Sequence, residues 1–145
     1  MWRILVAWLT AVVAATVVGS LVQSWHSISA IASIYQPLAW DDRLGVIGHD
    51  LVHFAPTWGA VMALGLLVAF PVAYWLTRRR PSLRVYLFPL AGFVAVWAAL
   101  FTMGQMVPVT VIAAARDAAG WLLLGLGGAL GGAIFVALGR RPAAG

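Results

Sequence analysis

The sequence predicts an all-α integral membrane protein: a four-transmembrane-helix bundle with a short interfacial helix in the first outer loop. Hydrophobic residues make up 63% of the 145 residues and charged residues only 9%, whereas soluble domains have roughly 45–50% and roughly 25%. A soluble protein of this size keeps about 30% of its unfolded surface exposed after folding, so it could not bury this much apolar surface. The composition therefore excludes a soluble enzyme, a disordered chain and a nucleic-acid-binding module.

Four apolar runs have a length near the about 20 residues that cross the hydrocarbon core as a helix. They cover residues 4–22, 54–76, 85–107 and 118–138, and none contains a charged residue. Because a chain within lipid must pair its backbone polar groups internally, we expect all of these runs to be helices. The whole chain, 1–145, is then a single four-span membrane domain.

Arginine placement predicts the orientation of the spans. Seven of the nine basic residues lie near the termini or between the second and third spans: Arg3, Arg78, Arg79, Arg80, Arg84, Arg140 and Arg141. Only Arg43 and Arg116 fall on the other side. The positive-inside rule therefore predicts that both termini are cytoplasmic. The chain lacks Lys and is rich in Ala, Gly and Arg, which fits a GC-rich bacterial genome. Together with the four spans, this predicts a multi-pass protein of a bacterial inner membrane.

The residue types that the chain lacks exclude several kinds of catalytic and metal sites. The chain has no cysteine, which excludes disulfides, thiol catalysis, thiolate zinc sites and iron–sulfur clusters. It also has no glutamate and no acidic residue within a span, so it lacks the central carboxylate on which small proton-coupled exporters depend. The sequence therefore favours a non-enzymatic protein.

The outer loop, residues 24–53, has the pattern of helices rather than of a linker. Trp25, Ile28, Ala32 and Tyr35 are spaced three, four and three residues apart, which is typical of a short helix lying on the membrane surface. Pro37 is expected to end this helix. A second apolar stripe then runs into the second span, and it consists of Leu44, Ile47, Leu51 and Phe54.

Polar side chains gather on the outer side and form a candidate ligand site. They are Gln23, Asp50, His53, Gln105 and Arg116. Because the second apolar stripe supplies a side compatible with lipid, Asp50 and His53 are predicted to turn into the bundle, toward Gln23 and Gln105. Such a cluster either binds a ligand or locks the loop onto the bundle. Asp117 is expected to cap the fourth span.

The segment from His49 to His53 reads HDLVH and resembles the metalloprotease pattern HExxH, with Asp in place of Glu. Histidines four apart share a helical face and can bind one metal ion. The shorter Asp reaches a metal-bound water poorly, so a protease is not favoured. Candidate metal ligands are His26, His49, His53 and Asp50, and haem ligation by His49 or His53 is a further alternative. Hydrogen-bonded interfacial histidines are the simpler interpretation, and no cofactor is predicted.

Glycines in the fourth span recur four residues apart, as Gly127 with Gly131 and Gly128 with Gly132. Such spacing lets helix backbones approach closely. The contact is either with other helices of the same chain, which we favour, or with a second copy or another membrane protein.

The sequence as a whole favours an accessory, assembly or oligomeric interaction protein of the membrane. One alternative is a small-molecule or ion carrier that uses the outer polar pocket, and another is a metal- or haem-binding membrane protein. No nucleic-acid partner is expected, because the arginines lie at span ends rather than on one soluble face.

Overall fold

The structure is a computed structural model, and it describes residues 2–34, 39–106 and 112–139. Within these ranges the chain forms helices and no strands. The four long helices are α1 (Trp2–Ala32), α2 (Trp40–Thr77), α3 (Arg84–Met106) and α4 (Ala118–Gly139). Short 3₁₀ turns precede α3 and α4, at Pro81–Leu83 and Ala113–Arg116. All four long helices are long and apolar enough to cross a membrane.

The helices pack as a ring in chain order, and α4 closes it against α1. Successive helices run in opposite directions, so the bundle has two ends of different charge. The aspartate end, where α1 and α3 finish, contains Asp41, Asp42, Asp50 and Asp117. The arginine end, where α2 and α4 finish, contains Arg78, Arg79, Arg80 and Arg84.

The predicted interfacial helix is not a separate element. Residues 24–32 are helical as expected, but they continue α1 without a break, because no Gly or Pro interrupts this stretch. Tyr35 and Pro37 lie outside the described residues. With 31 residues, α1 is about 46 Å long, and the 38-residue α2 is about 57 Å long. Both are longer than the about 30 Å of a hydrocarbon core.

Close contact between α3 and α4 depends on reciprocal glycines. A Cβ atom added at Gly92 would collide with the carbonyl oxygen of Gly128, and one added at Gly128 would collide with that of Gly92. One turn further along, a Cβ at Gly132 would collide with the carbonyl of Phe88. The two backbones therefore touch, as in the small-residue interfaces of membrane helices.

A second glycine stripe on α4 faces α1. A Cβ at Gly127 would lie 3.0 Å from Cγ1 of Val18, and one at Gly131 would lie 2.9 Å from the carbonyl oxygen of Ala11. All four glycines that the sequence singled out on α4 are buried within this one chain. They occupy the intrachain packing that the sequence analysis favoured over contact with another copy.

We expect Gly128→Ala to destabilise the bundle, because the added methyl group must push two helix backbones apart. Overpacking of this kind typically costs about 1–3 kcal/mol, and it should appear as a lower Tm in detergent. The matched control is Gly48→Ala on α2, where a Cβ meets nothing within 4 Å. That variant should keep or raise the Tm, since Ala is the better helix former. Equal Tm values for the two variants would contradict the packing.

Candidate functional site

The polar residues predicted to form a site lie at the aspartate end, but they differ in exposure. Gln23 on α1 is buried, with 7% of its surface exposed, and Asp50 on α2 is half-buried. His53, Gln105 and Arg116 are exposed. The structure therefore turns Gln23 and Asp50 inward and leaves the other three on the surface.

Gln23 holds the connection between α3 and α4 against α1. Its Oε1 atom accepts a hydrogen bond from the backbone N–H of Ala114, at 3.1 Å. Ala114 is fully buried and Ile112 nearly so, and a buried backbone N–H without an acceptor is costly. The side chain of Gln23 thus replaces the water that this N–H would otherwise bind.

Asp50 is used in a contact between α1 and α2. The hydroxyl group of Ser24 donates a hydrogen bond to Oδ2 of Asp50, at 2.9 Å. Ser24 is only 2% exposed, so this is a protected, charge-assisted bond of the stronger kind. The bond connects the N-terminal part of α2 to the C-terminal part of α1.

Asp117 joins His26 to the start of α4. Its Oδ1 atom accepts a hydrogen bond from the N–H of Gly120 at 2.6 Å, which confirms the predicted cap of the fourth span. The same atom lies 3.5 Å from Nε2 of His26. Because Nδ1 of His26 lies 2.9 Å from the carbonyl of Val22, the hydrogen sits on Nδ1, and the contact with Asp117 becomes an ion pair when Nε2 is also protonated.

Two tryptophans also hold the connection between α3 and α4 in place. The indole N–H of Trp121 donates to the carbonyl of Ala115, and that of Trp97 donates to the carbonyl of Trp121, both at 3.0 Å. Their rings meet edge to face with centroids 5.7 Å apart. The end of α3, the Ala113–Arg116 turn and the start of α4 are therefore linked in series.

His49 and His53 form a stacked pair on the exposed side of α2. Their ring centroids are 4.2 Å apart and their planes differ by 19°. Nδ1 of His53 lies 3.1 Å from the carbonyl oxygen of His49, and a carbonyl only accepts, so Nδ1 carries the hydrogen. The lone pair of His53 is therefore on Nε2.

The predicted convergence of Gln23, Asp50, His53 and Gln105 on one pocket does not occur. Asp50 and His53 are three residues apart on α2, and only Asp50 reaches α1. Nδ1 of His53 instead bonds within its own helix, to the carbonyl of His49. Whether any of these residues, or the exposed Arg116, binds a ligand stays a prediction.

The four predicted metal ligands are also divided among separate contacts. His26 turns to Asp117 and Asp50 turns to Ser24, whereas His49 and His53 stack on each other. Among the described residues, no group of three or more His, Asp, Glu or Cys side chains is placed to hold a metal ion. His49 and His53 are the two predicted ligands whose side chains contact each other.

Sequence reasoning missed Ser24 and the role of the Ala114 N–H. A signal for Gln23 was present, however. Ala11, Ala15 and Gly19 form a stripe of small residues four apart, and Gln23 is the next position of that stripe. Ala11 and Ala15 face α4, and the same spacing favours a position of Gln23 against the segment that leads into α4, where the structure places it.

We expect Gln23→Leu to lower the free energy of unfolding by about 1–3 kcal/mol, because it leaves the buried N–H of Ala114 without an acceptor. Chemical or thermal unfolding in detergent measures this loss. Gln105→Leu is the matched control, since Gln105 is exposed and its replacement should be neutral. If both variants lose equal stability, or neither does, the proposed role of Gln23 is wrong.

Comparison with known proteins identifies no relative for this chain. No protein-family model, no curated protein and no solved structure matches it. The function that the chain supports must therefore be inferred from its own geometry.

Proposed function

We propose that this chain is a small, non-enzymatic, multi-pass protein of the bacterial inner membrane, with both termini in the cytoplasm, that acts through contacts between membrane-embedded helices. Four apolar helices of sufficient length support the insertion. The arginine end supports the orientation, because its basic residues belong on the cytoplasmic side by the positive-inside rule. The extension of α1 and α2 at the aspartate end then lies at the outer interface.

The hydrogen bonds at the aspartate end favour a structural role over catalysis there. Gln23, Asp50 and Asp117 each bind a partner within the chain. These bonds attach α2 and the α3–α4 connection to α1. The acid and base that do meet, Asp117 and His26, join α1 to the start of α4, and among the described residues no third His, Asp, Glu or Cys side chain is grouped with them. Catalysis would need such groups placed together around a reacting atom.

The observation that carries the proposal is an apolar groove between α2 and α3. It has a volume of about 600 Å³ and is lined by residues 61–76 of α2 and 87–103 of α3. Its floor is made of small residues, including Gly65, Ala91 and Ala95. The hydroxyl of Thr102, at one end, donates its hydrogen to the carbonyl of Ala98, so it offers a ligand only an acceptor. The groove therefore suits an apolar surface of matching shape.

A second copy of this chain is the occupant that the shape favours. At the edge of the groove, which they help to line, Leu64 and Val68 project from α2 with 67% and 69% of their surface exposed. One face thus carries both a groove and a ridge, as a two-fold symmetric interface requires, because each copy must insert its ridge into the groove of the other. Association in lipid depends on such van der Waals fit and on small residues. The proposed self-association therefore uses α2 and α3, not the buried glycines of α4.

Filling the groove should disrupt this dimer. Ala98 lines the groove and is exposed, so Ala98→Phe adds bulk without entering the core. We expect the dimer dissociation constant in liposomes to rise about tenfold, the effect of losing about 1.4 kcal/mol. Energy transfer between copies labelled through Gly48→Cys measures it, which is practical because the chain has no native cysteine.

The control for this experiment is Ala133→Phe, an exposed position on α4 outside the groove. It should leave the dimer unchanged. If the unmodified chain shows only the energy transfer of randomly mixed monomers, self-association through this face is excluded. If both phenylalanine variants weaken the dimer equally, the interface lies elsewhere.

The histidine pair supports a second candidate function, the binding of a divalent transition metal at the outer surface. Histidines four apart on a helix can share one ion. The bond from Nδ1 of His53 to the carbonyl of His49 also orients the ring as outer-shell partners of metal ligands do. With two imidazole ligands and water, Cu²⁺ is the preferred ion, since it forms the most stable complexes of its series.

We expect Cu²⁺ to bind the purified protein with a stoichiometry of about one per chain, with nitrogen coupling from two imidazoles in electron paramagnetic resonance. His49→Gln and His53→Gln should each weaken binding at least about tenfold. His26→Gln is the control and should have no effect, because His26 faces Asp117. Equal loss in the control, or binding that survives loss of both His49 and His53, would remove this candidate.

A further inference from the structure

The arginine end has an unbalanced positive charge. Arg78, Arg79, Arg80 and Arg84 are all exposed there, and all four acidic residues of the chain lie at the opposite end. No aspartate side chain therefore neutralises these guanidinium groups, and the chain has no glutamate. In a membrane, the available counter-charge at this depth is the phosphate of an anionic lipid.

A cavity lies among these charges, between the start of α3 and the end of α4. It has a volume of about 290 Å³. Ser82 and Arg84 line its polar side, whereas Phe88, Phe135 and Val136 line its apolar side. The rings of Phe88 and Phe135 stack with centroids 5.2 Å apart, so the apolar wall is a continuous aromatic surface. The cavity thus combines a cationic rim with a hydrocarbon-compatible interior.

Arg84 is positioned at this rim by aromatic contacts. Its guanidinium carbon lies 5.4 Å from the centroid of the Tyr74 ring and 5.8 Å from that of Phe88. A cation held over aromatic faces still presents the N–H groups at its edge. These can form a bidentate contact with a phosphate, which a planar guanidinium does particularly well.

We propose that this cavity binds the headgroup of an anionic phospholipid, with the phosphate on Arg84 and the hydroxyl of Ser82. The glycerol and the first acyl carbons lie against Phe135 and Val136, with Phe88, only 1% exposed, packed behind them. The inference rests on the proposed insertion of the chain in a membrane, with the arginine end in the headgroup layer. It does not depend on the dimer or on the histidine pair. Basic pockets between membrane helices at this depth are suited to anionic headgroups.

The test uses the full chain in nanodiscs that contain phosphatidylcholine with a minor fraction of phosphatidylglycerol, and native mass spectrometry counts the retained lipids. We expect preferential retention of phosphatidylglycerol, reduced about fivefold by Arg84→Gln. Arg79→Gln is the local control, since Arg79 lies at the same end but does not line the cavity. Arg116→Gln is the control at the other end. Both controls should change retention less than about twofold.

A second variant makes the test independent of whether Arg84→Gln folds. Val136→Phe keeps every charge but fills the cavity, and it should also reduce retention of phosphatidylglycerol. Equal retention of the two lipids by the unmodified chain, or equal loss in Arg79→Gln and Arg84→Gln, would overturn the site. Displacement of the lipid by millimolar inorganic phosphate would instead assign the cavity to free phosphate. A chain that fails to enter nanodiscs would refute the proposed membrane location itself.

Discussion

Backbone contact between α4 and its two neighbours is the constraint on which the rest of the structure depends. Lipid is as apolar as leucine, so helices in a membrane gain little from burying hydrophobic side chains against each other. Gly128 and Gly132 allow α4 to touch α3, and Gly127 and Gly131 allow it to touch α1. These are the two most extensive helix pairs in the bundle, whereas α2 and α3 pack least extensively. The open groove lies where such close contact is missing.

The polar contacts at the aspartate end follow from this packing. Because α4 is held between α1 and α3, the connection that enters it must pass through a buried position beside α1. Its backbone then needs partners that water cannot supply, and Gln23 and Trp121 provide them. Of the residues that first suggested a ligand site, Gln23 and Asp50 are therefore used to hold the bundle together. His49, His53 and the arginine end take no part in these contacts, and the proposed metal and lipid sites lie there.

The four helices could be predicted because each apolar run has the length that a helix needs to cross the hydrocarbon core, and a chain in lipid must pair its backbone groups internally. The N-terminal cap at Asp117 could also be predicted, since it depends on residues three positions apart. The outward position of His53 and Gln105 could not, because it depends on where neighbouring helices end. The expectation of a separate surface helix around Trp25 was wrong for a similar reason, because α1 continues through this residue. An apolar stripe fits a surface helix and an extended α1 equally well. The two alternatives are distinguished only by what this part of the helix contacts, here Asp50 on an equally extended α2.

Disulfide formation in a chain without native cysteine tests the packing of α4 most directly. A Cβ at Gly127 would lie 3.3 Å from the Cβ of Val18, close to the about 3.5–4.5 Å of a disulfide. Val18→Cys with Gly127→Cys should therefore cross-link rapidly within one chain, whereas Val18→Cys with Leu126→Cys, one position away on the exposed face of α4, should not. Cross-links that form mainly between copies, or equally in both pairs, would contradict the packing of α4 against α1.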